Sequence, residues 1–239
     1  MNKIKITVVT VVYNGSGIIE DTINNVTNQT YENIEYIVVD GGSTDGTQEI
    51  IKKYEGKISF WKSEPDKGIY DAMNKGILLA TGDYVYFLNV GDKFYSDRTL
   101  ENMINQSQYE DVIFGDTCVK DVEGDRIVKA YPLYLDWKTM PYCHQSVLIK
   151  RTFLIKNLFD LSYKIAADYN QYHGLKKSLA TFKPINEIIC AYDTNGFSAQ
   201  NAKVMLKEYS VISLRNNLGF LRKLKIKLYF LLRMNLRNI

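Results

Sequence analysis

Oxygen-bearing side chains follow a strand-like segment near the middle of the chain. Residues 84–88 are apolar and aromatic, and the run ends at Asn89, Val90, Gly91 and Asp92. A strand that ends in this way delivers amide and carboxylate oxygens to the crevice beyond the carboxyl ends of an α/β sheet, where such folds bind ligands. The spacing predicts a ligand site at Asn89 and Asp92, although the same residue types also form ordinary turns.

Two earlier strand-like segments are also followed by residues with oxygen-bearing side chains. Tyr13 and Asn14 follow one β-branched run, and Asp40 follows another, with two glycines directly after it. A phosphate ligand at a carboxylate-rich edge requires a cation, and Mg²⁺ or Mn²⁺ held by one or two carboxylates plus the phosphates suits oxygen ligands. The carboxylates expected at this edge are Asp40, Asp66, Asp71 and Asp92.

The elements that must position these groups alternate between strand and helix. Buried parallel strands are rich in β-branched residues, and helices show apolar positions at helical spacing. The pattern predicts an α/β fold with a doubly wound, mostly parallel sheet and helices on both faces. In the first part, strands are predicted at 4–12, 34–39, 58–61 and 84–88, with helices at 18–27, 47–54 and from residue 66.

The alternation is weaker after residue 92. No linker rich in proline or glycine divides the chain, so residues 1–200 are interpreted as one domain with halves 1–92 and 93–200. The second half is predicted to contain helices at 98–106, from 153 and at 168–177, and strands at 112–116, 126–131, 146–149 and 185–192.

Composition is typical of a soluble globular protein. The chain has 239 residues, of which 46% are hydrophobic and 24% charged, so disordered classes are disfavoured. Its three cysteines show no paired spacing, which favours reduced thiols in the cytoplasm. No run approaches the roughly 18 uncharged apolar residues of a spanning helix.

Residues 201–239 form a basic tail. From Lys203 onward the chain carries nine lysines or arginines against a single acid, Glu208. Apolar residues are interleaved with these charges, which predicts a basic amphipathic helical extension. Such a helix could lie on an anionic membrane surface, or it could pack its apolar face on the domain. No nucleic-acid-binding module accompanies the charges, so nucleic acid is not an expected partner.

Several motifs together carry a family resemblance. The motifs are Val8-Val-Thr-Val-Val-Tyr-Asn14, the segments 38–47, 64–76 and 80–92, His144-Gln-Ser146, Ala166-Ala-Asp-Tyr169 and Asn195-Gly-Phe-Ser198. Read in order, they resemble the family 2 glycosyltransferases of the GT-A fold, and in particular the bacterial enzymes that build surface polysaccharide or lipopolysaccharide. The resemblance covers about residues 4 to 200, and it implies a nucleotide-binding half at 1–92 and an acceptor half at 93–200.

The resemblance implies a nucleotide site in the first half. Asp40 matches the carboxylate that accepts a hydrogen bond from the base, and Asp71 matches a position that faces the nucleoside. Thr10, Tyr13 and Asn14 would line the base and ribose, and Lys67, Gly68 and Asn74 would lie beside Asp71.

The resemblance also implies which residues bind the metal, act as the catalytic base and contact the sugars. Asp92 matches the last carboxylate of the family's Asp-x-Asp metal motif, and Asn89 replaces the first, where it could offer a carbonyl oxygen to Mn²⁺ or Mg²⁺. Asp168 matches the catalytic base, although the sequence alone is also compatible with a helix N-cap there. Contacts to the acceptor or donor sugar are expected from His144, Gln145 and Ser198. A catalytic pair of Cys143 and His144 is disfavoured, because neighbours on an extended segment point to opposite faces.

The resulting expectation is an inverting hexosyl or N-acetylhexosaminyl transferase. It would move a sugar from a nucleotide-sugar, with a UDP-sugar favoured, to a lipid-linked or oligosaccharide acceptor in bacterial surface polysaccharide synthesis. Its expected location is cytoplasmic and peripheral at the inner face of the cell membrane. Two alternatives stay open: a catalytically silent nucleotide-binding scaffold subunit, suggested by Asn89, and a nucleotidyltransferase, which should carry a basic phosphate loop that this sequence lacks.

Overall fold

The computed structural model describes residues 3–121, 124–193 and 201–236. The elements in chain order are β1 (Ile6–Val12), α1 (Ile19–Thr27), β2 (Ile34–Asp40), α2 (Thr47–Lys53), β3 (Phe60–Ser63), α3 (Ile69–Leu79), β4 (Tyr84–Phe87), β5 (Lys93–Phe94), α4 (Thr99–Asn105), β6 (Val112–Lys120), β7 (Arg126–Val128), β8 (Val147–Lys150), α5 (Arg151–Lys156), α6 (Ala167–Lys177), β9 (Phe182–Asp193), α7 (Ala202–Asn216) and α8 (Phe220–Leu236). Short 3₁₀ turns lie at Leu133–Leu135 and His144–Ser146.

One mixed sheet organises the described residues. Its strand order is β3-β2-β1-β4-β8-β6-β9-β5, and β7 pairs with β6. The first four strands in that order are parallel, and β6 and β9 form a second parallel pair. The strand β8 runs antiparallel between β4 and β6 and joins the two parts. The predicted α/β class with a mostly parallel sheet is confirmed.

Helices cover both faces of this sheet. Along β1, Val9 and Val11 belong to one buried cluster, whereas Val8 and Val12 belong to another. Successive residues of a strand point to opposite faces, so a strand buried on both sides must be apolar throughout. The first cluster includes residues of α3, α5 and α6, and the second includes residues of α1, α2 and α4.

Several element boundaries differ from the sequence predictions. The strand predicted at 58–61 is Phe60–Ser63, and the buried Ile58 lies in the turn before it. The strand predicted at 126–131 ends at Val128, and the last strand extends over Phe182–Asp193 instead of 185–192. The two-residue strand β5 was not predicted, because its pairing with β9 is set by a contact across the fold.

The basic tail contains two helices, α7 and α8, separated near Gly219, which has a positive φ of 94°. Ile212 of α7 is buried in the same cluster as α3 and α6. Ile226 and Phe230 of α8 are fully buried against α7 and Trp137. The tail therefore packs on the domain, as one of the two interpretations of its sequence predicted. The division into units at residue 200 stays a prediction.

Candidate active site

The carboxyl ends of β1, β2 and β4 meet at one edge of the sheet. Val12 of β1 is paired in register with Asp40 of β2. On the other side of β1, the amide of Val90 donates to the carbonyl oxygen of Val11 at 3.2 Å. Asn14, Asp40 and Asn89 therefore lie at the same edge, as their positions after three strands predict.

Asp40 is fully buried at this edge. Its Oδ2 accepts hydrogen bonds from the amide of Ser43 at 3.0 Å and from the Ser63 hydroxyl at 2.5 Å. The Ser43 hydroxyl also donates to Oδ1 and accepts from the amide of Asn14. The carboxylate thus fixes the turn after β2 against the turn after β1. Its predicted contact with a nucleobase stays a prediction.

The other first-half residues differ in exposure. Thr10 is fully buried, and its hydroxyl accepts a hydrogen bond from Tyr36 at 3.1 Å, which links β1 to β2 just before the edge. Tyr13 is 66% exposed beside it and is available to a flat ligand such as a base. Asn14 has a positive φ of 49°, and its Oδ1 accepts from the amide of Thr44 at 3.0 Å.

The turn before α3 holds its own carboxylates in place. The amide of Lys67 donates to Asp71 at 3.0 Å, and the amide of Gly68, whose φ is 111°, donates to Asp66 at 2.7 Å. Asn74, one turn further along α3, is hydrogen-bonded to the backbone of Phe159 through both its oxygen and its nitrogen. In this structure Asn74 joins α3 to the segment between α5 and α6, and its predicted nucleotide contact stays a prediction.

Asn89 is hydrogen-bonded to His144. Its Nδ2 lies 3.0 Å from His144 Nε2, and its buried Oδ1 has no hydrogen-bond partner among the described residues. An amide nitrogen can only donate, so Nε2 accepts and the neutral ring carries its proton on Nδ1. Burial lowers the pKa of His144 to about 4, which keeps the ring neutral at pH 7. The carbonyl oxygen of Asn89 is therefore left available to a ligand.

Asp168 lies on the other side of His144. Its Oδ2 is 3.8 Å from Nδ1, and only 14% of its side chain is exposed. Burial raises the pKa of this carboxyl from 3.8 to about 6, although the amide of Tyr169 donates to Oδ1 at 2.7 Å. The N-cap of α6 is Ala166, so the alternative that Asp168 caps the helix is wrong. A carboxylate with a pKa near the working pH suits a general base.

Asp92 is tied to the same cluster through Gln145. The Nε2 of Gln145 donates to Asp92 Oδ2 at 3.1 Å. No group of three or more His, Cys, Asp or Glu that could hold a metal occurs in the part of the chain that the structure describes. Asp92 and the unpartnered Oδ1 of Asn89 instead fit the mode in which a divalent cation takes few protein ligands and completes its shell with substrate phosphates.

Two positioning residues escaped the sequence analysis. Glu208 of α7 accepts hydrogen bonds from the amides of Lys164, Ile165 and Ala166 at 2.9 to 3.0 Å. The hydroxyl of Tyr70 on α3 donates to the carbonyl oxygen of Ile165 at 2.5 Å. Both fix the start of the helix that carries Asp168. The only sequence signal was that Glu208 is the single acid of a basic tail.

Other sequence interpretations have clear outcomes. Burial raises the pKa of the Cys143 thiol to about 12, so it is protonated at neutral pH and is no nucleophile. His173 of α6 is buried as well, with only 6% of the residue exposed. Ser198 lies outside the described residues.

Fold and site together define a GT-A architecture, in which Asn89 lies at the edge formed by the strand ends and His144 lies between Asn89 and the buried Asp168. The family model described as "Glycosyl transferase family 2" matches residues 7–162. The chain belongs to this family.

Curated relatives agree with this assignment. The chain is 29% identical over 164 residues to a PGL/p-HBAD biosynthesis glycosyltransferase of Mycobacterium tuberculosis, and the match covers 66% of this chain and 64% of that protein. It is 30% identical over 209 residues to an uncharacterized glycosyltransferase of Mycobacterium tuberculosis, which covers 80% of this chain and 76% of the relative. The chain thus spans less than two thirds of the first of these relatives.

Solved structures show the same fold at low sequence identity. The mannosyltransferase PcManGT from Pyrobaculum calidifontis, in complex with GDP-Man and Mn²⁺, has a TM-score of 0.71 at 18% identity, and the match covers 96% of this chain and 70% of that one. S. aureus TarS 1-349 in complex with UDP-GlcNAc has a TM-score of 0.69 at 18% identity and covers 95% of this chain and 71% of TarS 1-349. Among the described residues, no helix is long and apolar enough to cross a membrane.

Proposed function

We propose that this chain is an inverting glycosyltransferase that moves a hexose or N-acetylhexosamine from a nucleotide-sugar to a lipid-linked glycan. The observation that supports this most is Asp168, a buried carboxylate whose pKa is raised to about 6 and which lies within 4 Å of a histidine that joins it to Asn89. A UDP-sugar is the favoured donor, since the solved neighbour TarS 1-349 is in complex with UDP-GlcNAc.

The reaction is a single displacement. Asp168 takes the proton of an acceptor hydroxyl, the hydroxyl oxygen forms a bond to the anomeric carbon, and the bond from that carbon to the diphosphate breaks with its electron pair on the leaving group. Attack from the face opposite the diphosphate inverts the anomeric configuration. Most Asp168 carboxyls are ionised at pH 7 if the pKa is about 6. Because His144 is neutral, it forms no permanent ion pair with Asp168, and the carboxylate can accept the proton.

Asp92 and Asn89 Oδ1 would hold a Mn²⁺ or Mg²⁺ ion, with Asn89 on the side of His144 away from Asp168. When bound, such an ion supplies Lewis-acid stabilisation of the leaving diphosphate. Gln145 holds Asp92 through a hydrogen bond from its Nε2, and His144 holds the amide nitrogen of Asn89.

The tail supports a location at a cytoplasmic membrane face. One side of α8 packs on the domain, whereas Leu221, Leu224, Leu228 and Leu232 are each more than half exposed on another side. The helix also carries five lysines or arginines and no acid. Exposed leucines next to lysines and arginines match the surface of an anionic leaflet, where each basic residue contributes about 1 kcal/mol.

Donor turnover tests the proposed function. The wild-type chain should hydrolyse or transfer at least one sugar from a panel of UDP-, GDP-, dTDP- and CMP-sugars with Mn²⁺. The variant Asp168→Asn should lose activity by about 10²-fold or more, because the proton transfer is removed, and should still bind the nucleotide in calorimetry. Asp21→Asn is the matched control, since Asp21 also lies in the first turn of a helix but is exposed.

The outcomes separate the proposal from its rival. Full transfer by Asp168→Asn contradicts the assignment of the base. Nucleotide binding without turnover of any donor instead supports the scaffold subunit, which the replacement of the first metal-motif carboxylate by Asn89 favours.

A further inference from the structure

A buried aspartate outside the proposed active site holds the helix that carries Asp168. Asp136 lies between β7 and β8, and only 5% of its side chain is exposed. Its Oδ2 accepts hydrogen bonds from the Tyr172 hydroxyl at 3.2 Å and from the ammonium group of Lys176. Its backbone carbonyl oxygen accepts one from the Tyr169 hydroxyl. A carboxylate is buried at a cost unless it has such partners, and the reaction proposed above gives this one no part.

The three donors lie on one face of α6. Tyr169, Tyr172 and Lys176 are separated by three and four residues, so their side chains form a stripe along two turns of the helix. At a rise of about 1.5 Å per residue, this stripe is about 10 Å long. Because a single residue binds the stripe at both ends, Asp136 fixes the rotation of α6 about its own axis.

The segment that contains Asp136 is itself held from its other side by the tail. The hydroxyl of Ser213 on α7 donates to the carbonyl oxygen of Trp137. On α8, the ring of Tyr229 packs against the Trp137 ring with centroids 5.2 Å apart, and the Lys225 ammonium lies 4.8 Å from the centre of the same ring. Contacts on both sides make residues 136 and 137 a fixed anchor for α6.

The rotation of α6 sets the position of Asp168, which lies in the first turn of this helix. Side chains reach about 5–6 Å from a helix axis, so a rotation of about 10° displaces a carboxylate oxygen by about 1 Å. A displacement of this size can lower a rate by about 10²-fold. Glu208 and Tyr70 bind only backbone groups of residues 164–166, ahead of the helix, whereas Asp136 binds side chains along it.

We infer that Asp136 is a positioning residue for the proposed base. Its ion pair with Lys176 and its bonds to two tyrosines hold α6 in the rotation that aims the Asp168 carboxylate at an acceptor hydroxyl. This inference rests on the proposed function, because it states how the base of that reaction is kept in place. It assigns a role in catalysis to a residue that touches neither the donor edge nor Asp168.

Kinetics of the 239-residue chain with a panel of UDP-, GDP-, dTDP- and CMP-sugars and Mn²⁺ test the inference. Asp136→Asn keeps the size of the side chain and removes its charge, so α6 loses its ion pair without a new cavity. The kcat of donor turnover should fall about tenfold, whereas KM for the donor should stay within about twofold, because the strand ends that bind the donor are untouched. The control Asp125→Asn breaks an exposed ion pair with Lys120 and should change neither constant.

Further variants separate positioning from stability. Lys176→Met leaves the buried Asp136 carboxylate without its cation and should lower the urea midpoint of unfolding. Adding Asp136→Asn removes that unpaired charge, so the double variant should regain most of the midpoint. Its kcat should nevertheless stay about tenfold low, since α6 still lacks its anchor. Tyr172→Phe removes a single donor and keeps the ring, so kcat should fall by about threefold.

Three results would overturn the inference: wild-type kcat in Asp136→Asn or in Tyr172→Phe, a kcat of the double variant that recovers together with the midpoint, or a loss of activity that lies wholly in the donor KM. Each of them leaves wild-type turnover intact and contradicts this inference alone. A wild-type chain that turns over no sugar of the panel contradicts the proposed function, and this inference with it.

Discussion

Replacing Asp168 by asparagine should stabilise the protein at pH 8 while it removes activity. Burial raises the pKa of this carboxyl from 3.8 to about 6, so the folded state holds a carboxylate in an environment that disfavours its charge. Asparagine has nearly the same shape, and its Oδ1 can still accept the hydrogen bond that the amide of Tyr169 donates at 2.7 Å. The substitution therefore removes the buried charge without opening a cavity.

The size of the effect follows from the shift in pKa. A rise from 3.8 to about 6 corresponds to about 3 kcal/mol, at about 1.36 kcal/mol per pH unit. The folded state binds the proton more tightly than the unfolded state, so the contribution of Asp168 is most favourable below pH 3.8 and is lost as the pH rises through about 6. The gain from asparagine should be about 3 kcal/mol at pH 8 and below about 0.5 kcal/mol at pH 3.8.

Urea unfolding followed by circular dichroism at several pH values measures this gain. The control Asp21→Asn removes an exposed aspartate whose ion pair with Lys93 is 3.2 Å long, and its effect should stay within about 1 kcal/mol at every pH. A free energy of unfolding that Asp168→Asn lowers at pH 8, or raises equally at pH 4 and pH 8, would refute the assignment of a buried carboxylate with a raised pKa.

Three further predictions concern the cation, the base and the tail. Asn89→Asp should lower the Mn²⁺ concentration for half-maximal turnover about tenfold, since it adds a carboxylate; an unchanged metal titration would contradict the role of Asn89. Glu208→Ala should lower the free energy of unfolding by about 2–3 kcal/mol in urea and reduce kcat more than KM, because three amides before Asp168 lose their acceptor; an unaltered kcat would show that they do not position the base. Leu228→Glu should abolish binding to phosphatidylglycerol liposomes in sedimentation, whereas Leu179→Glu, at an exposed leucine outside the tail, should not; equal binding of both would contradict the membrane contact.

The fold of the first 92 residues was predictable because its signals are local. The β-branched run of β1, the turn after each strand and the helical spacing of α1 and α3 are all read within short windows. Parallel strands connected by helices then bring Asn14, Asp40 and Asn89 to one edge, since the chirality and short connections of such units leave few alternatives.

The second half depends on contacts that no local pattern specifies. The antiparallel insertion of β8 between β4 and β6 pairs Val85 with Ile149, and the strand β5 is defined only by its pairing with β9. The contact between Asn89 and His144 joins residues 55 positions apart. From the sequence, both side chains are only known to be polar. The sequence cannot show that the Asn89 amide nitrogen is hydrogen-bonded to His144 while its Oδ1 has no partner among the described residues.

A crystal structure of Asp168→Asn with a UDP-sugar and Mn²⁺ tests the central claim most directly, because the variant should bind the donor without consuming it. We expect the cation to contact Asp92 and the carbonyl oxygen of Asn89. The nucleobase should lie against Tyr13 beside Asp40, and the anomeric carbon should face residue 168. A nucleotide bound away from this edge, or an anomeric carbon turned away from residue 168, would contradict it.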